Sequence, residues 1–195
     1  MRTRPESTVL AVIDVQQRLV PAIPGAAPVL DRICRLADGA GLLGVRRLLT
    51  EQYPKGLGPT DPEVAGRMPR AIEKLAFSCC GSDAFLASLE EPAAADGATV
   101  ESVVLAGVET HVCILQTAVD LLARGFGVFV PVDAVASRHR IDHDTALRRL
   151  EGSGAILTTS ESLLFEWCRS ADHPRFQELR KVVLREGPTE PAPGA

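Results

Sequence analysis

The sequence predicts an α/β fold, a three-layer α/β/α sandwich around a central, mostly parallel sheet of Rossmann-like topology. Strand-like and helix-like segments alternate along the 195 residues. Most strand-like segments are continuous apolar runs, which is typical of parallel strands covered by helices on both faces. Ligands in such folds bind outside the carboxyl ends of the strands, so functional residues are expected where strands stop.

The individual elements follow from local patterns. The run VLAVI ends at Asp14, and apolar residues from about Pro28 recur at helical spacing. Prolines and glycines in residues 52–69 predict a long connection. A stripe of apolar residues before Gly125 predicts a helix that ends there. Strands are predicted at residues 9–13, 45–50, 71–74, 102–106, 128–132 and 155–159. Helices are predicted at residues 28–38, 83–89, 111–124, 142–150 and 161–168.

Composition narrows the class of protein. Hydrophobic residues make up 46% of the chain and charged residues 24%, with a net charge of −4, as in a soluble globular domain. Lysine and arginine are scattered, which argues against nucleic-acid binding. No apolar run reaches the roughly 18 residues of a membrane span, and the N-terminus lacks a signal-peptide pattern. Five irregularly spaced cysteines suggest a reducing cytoplasm. One domain over residues 1–186 and a disordered tail over 187–195 are expected.

One glycine motif is interpreted as structural. Residues 39–44, GAGLLG, match G-x-G-x-x-G. A dinucleotide fingerprint follows a strand and opens a helix, whereas here a helix precedes and a strand follows. Helix termination is therefore the better explanation, and no nucleotide cofactor is expected.

The stretch GVETHVCILQT, residues 107–117, contains the first candidate catalytic residue, Cys113. A buried cysteine usually only packs. Thr110 is predicted to cap the following helix by accepting from the N–H of Cys113. That arrangement would place the thiol in the first helical turn, where the helix dipole can lower its pKa. A packing role and a reactive role both remain open on position alone.

Two further candidates follow predicted strands. Asp14 comes directly after an apolar strand, where it could be a base or only a cap. Lys74 ends a short strand, where it could be catalytic or a solvated surface lysine. Together with Cys113 they place an acid, an ammonium and a thiol at three strand ends of one sheet.

At this level of detail the sequence resembles the isochorismatase-like cysteine hydrolase superfamily, and within it the metal-free isochorismatase-domain-containing subgroup. The resemblance covers nearly the whole domain in the family's order. The resembling segments are VLAVIDVQ, TEQYPKGLG, EKLAFS, GVETHVCILQTAVDLL, DAVASR and GAILTTSESLLFEW.

The resemblance implies an isochorismatase-like fold in which Asp14, Lys74 and Cys113 form a catalytic triad. The cysteine would attack an acyl carbon of a small amide, carbamoyl or related substrate, and water would hydrolyse the thioester. A cis peptide would map to Val108–Glu109 and aim the N–H groups of Glu109 and Cys113 at an oxyanion. Family members commonly form homo-oligomers, so a dimer or tetramer is expected.

Differences from two other branches of the superfamily indicate which type of reaction to expect. True isochorismatases lack the cysteine at this point, which favours acyl chemistry here. Nicotinamidase-like members have Asp-x-His and a further histidine as a metal site after the second strand. The corresponding residues here are EQYPK, so no metal is expected.

Other residues have weaker signals. Gln52, Tyr53, Phe77 and His111 are possible substrate-pocket residues, with a surface loop or a structural role as the alternative. His139 and His143 are expected to be solvated. Two rival functions remain: a non-catalytic scaffold with the same fold, and a thiol redox sensor that pairs Cys113 with Cys79 or Cys80.

Overall fold

The computed structural model describes residues 2–94 and 97–188. Within these residues, seven parallel strands form one sheet. Six of them follow the order β3-β2-β1-β4-β5-β7, and the short β6 pairs with the carboxyl end of β4, past the point where the pairing of β4 with β5 ends. The strands are β1 (Thr8–Ile13), β2 (Arg46–Gln52), β3 (Ile72–Lys74), β4 (Ser102–Val108), β5 (Gly127–Pro131), β6 (Val135–Ala136) and β7 (Ile156–Thr158). The predicted parallel sheet is confirmed.

Helices cover both faces of the sheet, as the apolar strands require. They are α1 (Ala26–Leu43), α2 (Pro54–Leu57), α3 (Pro62–Ala65), α4 (Asp83–Glu90), α5 (Leu115–Ala123), α6 (Arg140–Gly152), α7 (Ser160–Cys168) and α8 (Phe176–Val183). A π-helical turn, Thr110–Ile114, precedes α5. Short 3-10 turns occur at Pro5–Ser7, Val20–Ala22, Cys79–Gly81 and Val132–Ala134.

The core has two layers, one on each face of the sheet. Successive residues of β1 point to opposite faces, so Val9 and Ala11 pack with α4, α5 and α6, whereas Leu10 and Val12 pack with α1, α7 and α8. Every residue of β1 and β4 is buried. In a strand with one face in solvent, polar and apolar residues alternate. Both faces of β1 and β4 are covered, which is why their sequences are continuous apolar runs.

Helix α1 corrects the interpretation of the glycine motif. Gly39 and Gly41 lie inside α1, and only Gly44, with φ 75°, ends it. A Cβ on Gly39 would lie 2.1 Å from a methyl carbon of Leu164, so the glycine lets α1 and α7 pack closely. The motif thus serves helix packing as well as helix termination.

The last helix is attached to α1 by a buried arginine. Arg35 is buried, and its guanidinium donates to the carbonyl oxygens of Val183 and Arg185, both at 2.6 Å, and to the carboxylate of Asp31. Helix α8 and the two-residue β6 were not predicted. Of the tail predicted to be disordered, residues 189–195 lie outside the described residues.

Candidate active site

The candidate site lies at the carboxyl edge of the sheet, where the strand order reverses. The chain runs outward from β1 through β2 to β3 and then returns to β4 on the other side of β1. The ends of the strands on either side of such a reversal are the usual ligand position in open α/β sheets. Asp14 follows β1 directly, and Cys113 follows β4 within five residues.

Asp14 is completely buried and occupies a left-handed backbone conformation with φ 55°. Its backbone N–H donates to the carbonyl of Thr50 at 3.2 Å, and the Thr50 hydroxyl donates to Asp14 Oδ1 at 2.7 Å. One carboxylate oxygen is therefore fixed by the neighbouring strand, and the other is left for the site.

Lys74 is the last residue of β3 and forms an ion pair with that second carboxylate oxygen. Its Nζ lies 2.6 Å from Asp14 Oδ2, with both side chains almost fully excluded from solvent. The same ammonium donates to Gln52 Oε1 at 2.9 Å and lies within 3.3 Å of the carbonyl oxygens of Ala76 and Phe77. Lys74 is thus not the solvated surface lysine of the alternative interpretation.

Lys74 also connects the carboxylate to the thiol. Its Nζ lies 3.8 Å from Cys113 Sγ. Burial opposes the charged form of Lys74, but nearby negative charge, that of Asp14 above all, outweighs it, so the pKa of Lys74 is raised above its ordinary value. The three predicted residues, far apart in the chain, therefore meet at one point.

The approach of Cys113 to Asp14 depends on Gly107. This glycine has φ 120°, and a Cβ there would lie 2.1 Å from the carbonyl oxygen of Ile13, the residue before Asp14. The peptide bond between Val108 and Glu109 is cis. The chain then enters the π-helical turn that contains Cys113, whose side chain lies in the core with only 5% of the residue exposed.

Two details of the predicted nucleophile are wrong. The Thr110 hydroxyl does not cap the helix; it hydrogen-bonds His143 Nδ1 at 2.9 Å. Burial raises the pKa of the Cys113 thiol, and the charge and hydrogen bonding of Asp14 raise it further, whereas Lys74 lowers it. Burial and the neighbouring carboxylate therefore act against the lowering of the thiol pKa that the helix dipole suggested.

Sequence reasoning missed two supporting residues, Thr50 and Gln16. Gln16 is completely buried; its side chain accepts from the N–H of Gln52 at 2.8 Å and donates to the carbonyls of Gln52 and Gly58. It fixes the end of β2, from which Gln52 reaches Lys74. A signal was available, because Thr50 is the last residue of a predicted strand and Gln16 follows the apolar run of β1 by three residues.

The four possible pocket residues separate into two groups. Gln52 joins the site through Lys74, and Phe77 joins it through its carbonyl oxygen, although its ring is exposed. Tyr53 is exposed, and His111 Nδ1 hydrogen-bonds the Ser137 hydroxyl at 3.0 Å. His143 is half-buried against Thr110, and burial lowers its pKa, so the expectation that it is solvated is wrong.

Within residues 2–94 and 97–188, no three His, Cys, Asp or Glu side chains are grouped so that they could bind a metal ion. No helix in this part of the chain is long and apolar enough to cross a membrane.

Comparison with known proteins decides the family. The sequence model of the Isochorismatase domain matches residues 8–162, a range that includes Asp14, Lys74 and Cys113. The chain belongs to the isochorismatase family.

Two relatives show how far this membership extends. The isochorismatase-family chain is 42% identical to mouse isochorismatase domain-containing protein 2A over 96% of the chain and 87% of the mouse protein. It is 42% identical to isochorismatase domain-containing protein 1 of Salmo salar over 94% of the chain, which spans 63% of that protein's length.

Solved structures agree with the fold. A MAR1 ribonuclease from Caenorhabditis elegans is 37% identical, with a TM-score of 0.88, 97% of this chain covered and 95% of that one. YcaC from Escherichia coli, described as an octameric hydrolase of unknown specificity, is 23% identical with a TM-score of 0.83, and the match covers 94% and 91% of the two chains. At that identity the likeness to YcaC concerns the fold alone.

Proposed function

We propose that this isochorismatase-family chain is a metal-independent cysteine hydrolase of the amidase type. Its substrate would be a small amide, carbamoyl compound or related acyl compound. The observation that supports the proposal best is the position of the Lys74 ammonium, 2.6 Å from the Asp14 carboxylate and 3.8 Å from Cys113 Sγ. This arrangement joins a nucleophile, a base and a charged orienting group, the combination that activates a thiol.

The proposed reaction begins from the neutral thiol. As Cys113 Sγ bonds to the acyl carbon, its proton passes to Asp14, and the carbonyl electron pair moves to oxygen. When the carbonyl re-forms, the bond to the amine or alcohol breaks, and Asp14 returns the proton to that leaving group. The product of this half-reaction is a thioester on Cys113.

Water completes the cycle. Asp14 takes a proton from the water that attacks the thioester carbon; the C–S bond then breaks, and the thiol regains the proton. Lys74 enters the reaction as an ammonium, because the Asp14 carboxylate raises its pKa, and no proposed step removes a proton from it. The N–H groups of Glu109 and Cys113 are proposed to stabilise the oxyanion in both halves.

The two rival functions find less support in these residues. A redox sensor needs an accessible thiol of low pKa. Here burial raises the pKa of Cys79 to about 11 and raises that of Cys80 as well. A scaffold without activity would have no need of an ion pair that is also in contact with a buried sulfur.

A test uses a panel of small amides, carbamoyl compounds and esters, with mass spectrometry to detect an acyl group on Cys113. Cys113→Ala should abolish turnover and adduct while the chain still folds. Cys34→Ala is the matched control, because Cys34 is equally buried but packs on the opposite face of the sheet.

An RNA oligonucleotide belongs in the same panel, because the nematode relative is described as a ribonuclease. Cleavage of RNA without any acyl adduct, or full turnover by the Cys113→Ala variant, would overturn the proposed mechanism.

We also propose that the chain works as a cytoplasmic homo-oligomer, a dimer or tetramer, with residues 1–186 as the hydrolase domain. The large side chains of Tyr53, Leu75 and Phe77 are exposed near the candidate site. Burial between copies would remove this apolar surface from water. Light scattering of the purified chain would measure the mass of the oligomer.

The cysteines support the proposed cytoplasmic location, because all five are free thiols, as expected in a reducing compartment.

A further inference from the structure

The turn that leads to Cys113 contacts one later segment of the chain, residues 135–143, which contains β6 and the start of α6. Four consecutive residues of the turn each contact this segment. The pairs are Val108 with Ala136, Glu109 with Arg138, Thr110 with His143, and His111 with Ser137. The orientation of the turn therefore depends on residues that the proposed mechanism does not yet use.

The Glu109–Arg138 pair is the charged contact of this set. The carboxylate of Glu109 accepts from the backbone N–H of Arg138 at 2.8 Å and from its Nε at 3.1 Å. The Glu109 side chain is only 7% exposed, whereas that of Arg138 is 50% exposed. A buried carboxylate is thus neutralised by a guanidinium that reaches in from the surface.

The position of this carboxylate creates an electrostatic problem for the proposed reaction. Glu109 follows the cis peptide and supplies one of the proposed oxyanion N–H groups. Negative charge would develop on the substrate oxygen beside that N–H during attack. A buried, uncompensated carboxylate on the same residue would repel that charge, and the repulsion is strong in a site that excludes water.

We propose that Arg138 is a positioning and charge-compensating residue for acyl transfer: it anchors Glu109 and cancels its charge, so that the turn can accept an oxyanion. This inference rests on the proposed function. It predicts that Arg138 affects steps in which an oxyanion forms and leaves the nucleophilicity of the thiol nearly unchanged, because the hydrogen bonds and ion pair of Arg138 described above go to Glu109 and not to the thiol.

The test compares two reactions of Cys113 in the full chain. Acylation by p-nitrophenyl acetate passes through an oxyanion, whereas alkylation by iodoacetamide does not. Arg138→Met should slow acylation by about 10-fold or more, as loss of an oxyanion stabiliser does, and should change alkylation less than about 2-fold. Arg140→Met is the matched control, because that arginine is 87% exposed and pairs with Asp144; both of its rates should equal those of the wild type.

Two further variants separate charge from structure. Arg138→Lys should recover part of the acylation rate, because it restores the positive charge. Glu109→Gln combined with Arg138→Met removes both charges and should acylate several-fold faster than Arg138→Met alone. If the double variant is instead as slow as the single one, the role of Arg138 is only structural, and the inference is wrong.

The outcomes are distinguishable from failure of the proposed function. If the wild type forms no acyl group on Cys113, the proposed function fails, and this inference fails with it. If the wild type is acylated and Arg138→Met is acylated equally fast, only this inference fails. Equal slowing of acylation and alkylation would also contradict it, since that result indicates general damage to the turn.

Discussion

The two halves of the candidate site are built differently. The acid–base half, around Asp14 and Lys74, is buried, and each of the two charged groups has at least two hydrogen-bond partners within the protein. The nucleophile half is the turn around Glu109 and Cys113, and several of its partners, including Arg138, are partly exposed. The difference suggests that the proton-transfer pair is fixed before substrate arrives, while the orientation of the turn depends on contacts nearer the surface.

The largest effect is expected where the two halves meet. Gly107→Ala places a methyl group against the carbonyl oxygen of Ile13 and requires a backbone conformation that side chains disfavour. We expect the free energy of unfolding to fall by at least about 4 kcal/mol, measured by urea denaturation. Gly44→Ala is the control: its φ is also positive, but its Cβ would meet no atom within 4 Å, so a loss of only about 1 to 2 kcal/mol is expected. Equal losses would show that steric contact with Ile13 is unimportant.

The second prediction breaks the acid–base half. Lys74→Met leaves the Asp14 carboxylate buried without its cation, so a loss of about 3 kcal/mol in the free energy of unfolding is expected. The exposed Lys55, replaced in the same way, should cost almost nothing.

The same variant also tests the pKa of the nucleophile. In the wild type the thiol pKa is raised, so alkylation of Cys113 by iodoacetamide should be slow at neutral pH. The alkylation rate should increase only at a pH above the ordinary pKa of a cysteine thiol. Lys74 lowers that pKa, so its removal should move the alkylation midpoint to still higher pH. A midpoint near pH 6 in the wild type would contradict this description of the site.

The smallest effect is expected in the nucleophile half. Thr110→Val removes the hydrogen bond to His143 while keeping the shape of the side chain, so a loss of about 1 kcal/mol is expected. Thr145→Val, at an exposed position on α6, provides the comparison and should change stability much less. If Thr110→Val cost as much as Lys74→Met, the two halves would be equally dependent on buried contacts, and the contrast between them would disappear.

The sequence predicted the parts of the fold that depend on local patterns. Strands β1 and β4 are continuous apolar runs because both faces are covered, and this pattern is visible without the structure. Strand β6 has only two residues, which is too short for any periodicity. The glycines in α1 were interpreted as breakers because the sequence does not show that Leu164 packs against Gly39.

The same limit applies to the site. Asp14, Lys74 and Cys113 were found because each lies at or just after the end of a predicted strand, Cys113 in the first turn of the helix that follows. Their meeting depends on strand order, which periodicity does not give. The prediction of a lowered thiol pKa considered only the local helix start, whereas burial and Asp14, which lies 99 positions earlier in the sequence, raise that pKa.

The buried guanidinium of Arg35 has a consequence for how the chain tolerates change at its C-terminal helix. Because Arg35 donates to carbonyls at the end of α8 and just beyond it, removing residues 182–188 would take these acceptors away from a buried guanidinium, which would keep its ion pair with Asp31. A deletion there would lower the stability of the fold as a core substitution does, although the deleted residues lie near the C-terminal end of the sequence. Affinity handles and truncations should therefore be designed to leave these residues intact.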